Sequence, residues 1–153
     1  MMDTRQEFKT TVSDKPYPVS IEMRPLWRIS LIIICIKIVS KEENYLDSKK
    51  VNVLVWMLIR KTRWPEYEDY LLGRTNTAPL VSVDTATFKA VEFSIAKELI
   101  YIENGRLYIT EKGIALFNIL LKNEIMEDEV IFLETAGKKL TDKKVAGLTG
   151  GTP

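Results

Sequence analysis

Three groups of side chains in this sequence have the types and spacing to do chemistry. Glu127, Asp128, Glu129 and Glu134 place four carboxylates within eight residues. Carboxylates that close can hold a divalent cation, and on a helix they equally form a solvated face. Arg60-Lys61-Thr62-Arg63-Trp64 sets three cations beside an indole. Such a group can take phosphate while the ring stacks on a base. The same cations also suit a helix C-terminus, where they meet the negative end of the macrodipole. Lys89 and Arg106 are single cations at positions from which a helix and a turn can reach a DNA groove.

What is missing narrows the field. The chain has no histidine and one cysteine, Cys35. The commonest general base and the commonest zinc ligand are absent, and thiolate metal sites are excluded. Serine hydrolase, cysteine protease and zinc enzyme chemistry lose their usual parts, so the expectation is a protein with no catalytic centre, no metal and no cofactor. A lone cysteine in an apolar run points to a reducing compartment.

The 153 residues are 46% hydrophobic and 28% charged, with a formal net charge of +1. That is the composition of a globular chain with no strong electrostatic footprint for nucleic acid or membrane. From Val81 to Pro153 there are nine basic and eleven acidic residues, a net charge of −2. The first residues are too polar for a signal peptide. The apolar run Leu31–Val39 is short and interrupted by Lys37, so it is a core segment rather than a membrane span. A cytoplasmic protein is expected.

The elements that must position these residues can be traced along the chain. Residues 1–20 are polar, with Pro16 and Pro18 close together, and read as a flexible arm. Pro25 suits the first turn of a helix covering Leu26–Val39, although its isoleucines would also suit a buried strand. Lys41–Tyr45 reads as a polar turn, and Asp47 or Ser48 caps a helix bearing Val51, Leu54, Val55, Leu58 and Ile59. Trp64-Pro65 opens a short helix that Gly73 stops. Asp84 caps the next helix, in which Phe88, Val91, Ile95 and Leu99 fall on one face, leaving Thr85, Lys89, Glu92 and Ala96 on the other. Ile100–Glu103 and Arg106–Ile109 flank Asn104-Gly105, the dipeptide of a type I′ hairpin turn. Thr110 caps a helix over Ile114–Leu121. Met126, Val130, Leu133, Gly137 and Leu140 then repeat at 4, 3, 4, 3 spacing, a narrow seam of the coiled-coil kind. Residues 148–153 read as a disordered tail.

Helix, hairpin with an Asn-Gly tip, and then Leu107-Tyr108-Ile109-Thr110-Glu111-Lys112-Gly113 together resemble the winged helix-turn-helix, the hairpin being the wing. The fold class implied is mainly α with a small β-hairpin. One such domain would cover residues 21–147, with a winged core at about 48–122 and added N-terminal and C-terminal helices. A narrower resemblance rests on Arg24-Pro25-Leu26, Leu46-Asp47, Arg63-Trp64-Pro65 and Pro79-Leu80-Val81-Ser82. This order is similar to that of the middle-component subunits of ABC-three-component systems, which include Lamassu-type anti-phage and anti-plasmid defence.

That resemblance implies a non-catalytic accessory subunit, similar to the winged-helix partners of SMC complexes. It would bridge or restrain an SMC-like or Rad50-like ATPase and a nuclease-like effector. Apolar excess at Trp27, Leu31, Ile34 and Trp56, and along the seam of Met126, Val130, Leu133 and Leu140, supplies candidate partner or self-association surfaces. The competing expectation is a dimeric winged-helix transcription regulator that contacts DNA through Lys89, Arg106 and the Arg60, Lys61, Arg63, Trp64 cluster. The near-neutral outer face of the Asp84–Leu99 helix counts against it.

Overall fold

A computed structural model describes residues 23–82 and 84–150. The arm assigned to residues 1–20 and the last three residues lie outside the described residues. The chain is mainly helical with a small antiparallel sheet. Its order is α1 (Met23–Ser40), β1 (Tyr45–Asp47), α2 (Ser48–Ile59), α3 (Trp64–Leu71), α4 (Thr85–Ala96), β2 (Ile100–Glu103), β3 (Arg106–Ile109), α5 (Glu111–Lys122), α6 (Glu127–Thr135) and α7 (Asp142–Thr149).

The segment with two readings, Leu26–Val39, is helical and forms the axis of the fold. Ile29, Leu31, Ile32, Ile33, Ile34, Cys35, Ile36 and Ile38 are all buried. Consecutive burial of this kind points around the whole helix circumference, so α1 needs neighbours on every side. It packs against α2, α4, α5 and α6. Each fully buried Ile or Leu contributes about 2 kcal/mol, so this apolar excess is used inside the chain. No helix among the described residues is long and apolar enough to cross a membrane.

Cys35 sits in this core, fully enclosed, and burial pushes its thiol pKa far above the ordinary value of 9.0. Only the unfolded chain forms the thiolate near that pH, so the stability linked to this group is present below pH 9 and lost as pH rises. Above pH 9 the parent should lose about 1.4 kcal/mol per pH unit relative to Cys35→Ala in denaturant titrations. Disulfide-forming reagents should label the thiol only as fast as the chain unfolds globally.

A third strand joins the expected hairpin. Tyr45–Asp47 pairs antiparallel with β3, giving the order β1-β3-β2 with Tyr45 opposite Tyr108 and Tyr108 opposite Tyr101. Leu46, Leu107, Ile109 and Ile100 face inward. The three tyrosines form a row on the outer face, with ring centroids 5.1 and 4.9 Å apart. Asp47 caps α2, accepting from the Lys49 amide at 2.8 Å.

Two expectations at the C-terminal end are corrected. The seam is not one helix: α6 ends at Thr135, a 3₁₀ turn covers Gly137–Lys139, and Leu133, Gly137 and Leu140 face the protein's own core. Nor does the chain lose order at residue 148. Helix α7 runs to Thr149, Leu148 is fully buried, and its carbonyl accepts from the Val81 amide at 3.0 Å. The sequence LTGGTP shows glycines but not the apolar slot that holds its leucine.

Candidate functional site

The helix that would read DNA is rotated from its apolar pattern. Asp84 caps α4 as expected, accepting from the Thr87 amide at 2.9 Å, and its carboxylate faces Arg28. The buried residues, however, are Thr87, Ala90 and Ser94, whereas Phe88 is 53% exposed. Of the expected stripe, Leu99 is buried and Val91 and Ile95 are partly buried against the core, so the inward face is shifted toward Thr87, Ala90 and Ser94 and Phe88 is the residue turned out. The reason is steric. Helix α1 already supplies bulky side chains in every direction, so α4 approaches through its smallest residues, and the Ser94 hydroxyl donates to the Ala90 carbonyl at 2.8 Å.

The outer face of α4 therefore differs from expectation. Phe88 and Phe93 stand at its two edges, 53% and 49% exposed, with Lys89 and Glu92 between them. Leu80, in the loop leading to α4, is 78% exposed. Exposed aromatic and aliphatic groups flanking one cation and one anion are suited to a protein surface, not to a row of phosphates.

The basic cluster is largely neutralised by its own neighbours. Arg63 binds Glu66 at 2.7 Å, a pairing that further raises its pKa. Lys61 lies 3.2 Å from Glu129 and 3.7 Å from Asp128. Arg60 stacks on Trp56, its guanidinium carbon 3.3 Å from the ring centroid, and donates to the Trp56 carbonyl at 3.1 Å. Trp64 donates to the Met57 carbonyl at 2.8 Å and packs on Phe132, its ring half-buried. These groups close the end of α2 and tie it to α6.

The hairpin tip is similar. Arg106 is exposed, but it stands over the Tyr45 ring and lies opposite both Asp47 and Glu103. Its hydrogen bond with Tyr108 raises an already high pKa, followed by the charges of its neighbours.

The four acidic residues divide three and one along α6. Glu127, Asp128 and Glu129 occupy the first turn of α6, where carboxylates favour the positive end of the helix dipole. Glu134 pairs with Lys138. Among the described residues no group of three or more carboxylate, histidine or cysteine side chains is arranged to hold a metal ion.

Of the candidate interface residues, Leu31, Ile34, Leu133 and Leu140 are core and are unavailable to a partner chain. Trp27, Trp56, Met126 and Val130 are half-buried and pack against that core. Trp27 and Met126, with Ile125, Lys61 and the α6 carboxylates, line an open groove of about 450 Å³.

Phe93, Leu80, the tyrosine row and the groove carried no sequence signal strong enough to single them out. The one available clue to the rotation of α4 was the small-residue series Thr87, Ala90, Ser94 at i, i+3, i+7. Comparison with protein-family models, curated proteins and solved structures finds no match to this chain.

Proposed function

We propose that this chain is a non-catalytic winged-helix accessory subunit that bridges an SMC-like or Rad50-like ATPase and a nuclease-like effector in a bacterial anti-phage or anti-plasmid defence complex. The observation that supports it best is the outer face of α4. In a DNA-reading winged helix this face carries groups for base edges and phosphates. Here it carries Phe88 and Phe93 around a neutral pair, Lys89 and Glu92. The winged-helix reading is supported by the connectivity. A helix precedes β1, further helices intervene, and β2 and β3 form a hairpin whose second strand pairs with β1. The pairing of Lys61 and Arg63 with carboxylates and the placing of Arg106 between two more weaken any polyanion site.

The test is recovery of the tagged protein from its native host, followed by size-exclusion light scattering. The expected result is stoichiometric co-purification with a large coiled-coil ATPase and an effector. A lone dimer that retains a DNA duplex, with binding that falls steeply as salt rises, would replace this reading with that of a transcription regulator.

A further inference from the structure

We propose that the lysines gathered where α2 meets α7 form a contact for the phosphate backbone of a DNA duplex. They come from two runs far apart in sequence. Lys49 and Lys50 begin α2, and Lys138, Lys139, Lys143 and Lys144 follow one another from the 3₁₀ turn into α7. Two contacts join the runs. A methyl group on Gly137 would meet the Leu54 Cδ2 at 3.6 Å, and Asp142 lies 3.6 Å from Lys50. Residues 137–142 therefore run back along one turn of α2, a span of about 6 Å.

Half of this cluster is already engaged. Lys50 pairs with Asp142, Lys138 pairs with Glu134, and Lys144 donates to the Leu71 carbonyl at 2.6 Å. Lys49, Lys139 and Lys143 are exposed. Among the described residues no carboxylate lies within ion-pair distance of these three. Asp47, the nearest acid in sequence to Lys49, is held as the α2 cap and stands opposite Arg106. The chain's net charge of +1 averages this patch away, but a polyanion meets the local distribution.

The composition of the patch selects the ligand. Among the described residues, none of the large hydrophobic side chains left exposed lies on α2, the 3₁₀ turn or α7. A protein interface needs such anchors and is depleted in lysine. A membrane-surface helix needs apolar side chains to insert. Single-stranded nucleic acid needs exposed rings for its bases to stack on. Lysines without these groups suit duplex phosphates, which position a protein without reading sequence. The contact is separate from the α4 face that supports the accessory-subunit reading, and either can fail without the other.

Fluorescence anisotropy of a labelled DNA duplex of about 20 base pairs, titrated with the full chain, tests this. Binding should be independent of sequence and fall about fortyfold between roughly 50 and 200 mM salt, the dependence expected of three phosphate contacts. The Lys49→Ala, Lys139→Ala, Lys143→Ala variant should bind about thirtyfold more weakly at low salt. Its melting temperature should match the parent's, because all three side chains are exposed. The Lys89→Ala, Arg106→Ala variant, altered on α4 and the hairpin, should bind as the parent does. No binding at low salt overturns the proposal, as does binding lost in the Lys89, Arg106 variant but kept in the triple variant. Binding to poly-glutamate as tight as to the duplex also overturns it, and would assign the lysines to an acidic protein.

Discussion

Replacing Gly113 by alanine should destabilise the protein by about 3 kcal/mol and lower its melting temperature by about 9 °C. A methyl group there would press into the Leu99 carbonyl oxygen and approach the Ile109 Cγ1 at 2.7 Å. The carbonyl cannot easily retreat. It accepts from the Thr110 amide at 3.0 Å, while the Thr110 hydroxyl donates to the adjacent Glu98 carbonyl at 2.7 Å, lies 3.0 Å from the Leu99 carbonyl, and caps α5 by accepting from the Gly113 amide at 3.1 Å. The backbone between α4 and β2 is equally fixed, with Glu98 in the left-handed region at φ 62° and the Leu99 amide donating to the Ser94 carbonyl at 2.9 Å. One residue thus seats the start of α5 against the root of the hairpin. Gly137→Ala is the control. Its methyl would meet the Leu133 Cδ2 at 2.8 Å, the end of a side chain that can rotate, so the cost should be under half as large. Thermal unfolding followed by circular dichroism checks both. A Gly113→Ala melting temperature equal to the parent's would mean the α4–α5 junction is looser than described.

On the accessory-subunit reading proposed above, the Phe88→Ser, Phe93→Ser double variant should lose partner recovery by about a thousandfold, on the basis of two aromatic anchors worth about 2 kcal/mol each. Each ring is about half exposed, at 53% and 49%. Each substitution should therefore cost at most about 1 kcal/mol of stability. Affinity and stability are thereby separated, which matters because a variant that merely unfolds would also lose its partner. Circular dichroism on the purified variant and quantitative co-purification against the parent are the two measurements. A folded variant that still recovers its partners would move the interface off α4. Lys89→Ala serves as a companion, because removing the cation between the two rings should leave recovery nearly unchanged if the surface is apolar in character.

The local elements of this fold were legible because local chemistry dictates them. Asp84 and Thr110 cap their helices through the side-chain oxygens expected of them. Asn104 and Gly105 both take positive φ, as their hairpin turn requires. Pro65 opens α3 and Gly73, at φ 82°, follows its end. The absence of histidine and the single cysteine also limit the chemistry open to the chain.

What the sequence could not decide was orientation and pairing. An apolar stripe marks the inward face of a helix only when its neighbour has room for bulk. Helix α1 left none, so Thr87, Ala90 and Ser94 turned inward and the phenylalanines outward. Tyr45–Asp47 became a strand through hydrogen bonds to residues some sixty positions away, which no local pattern contains. The cations of Arg60–Trp64 have two readings along the chain, and α6 decides for Lys61 by bringing Asp128 and Glu129 to it. Leu148 looked like part of a polar tail until a slot in the core received it. Backbone capping and turn geometry depend on a few adjacent residues and can be read along the chain. Which face is buried, which charge is neutralised and which surface stays open depend on distant segments meeting, and only the tertiary structure decides them.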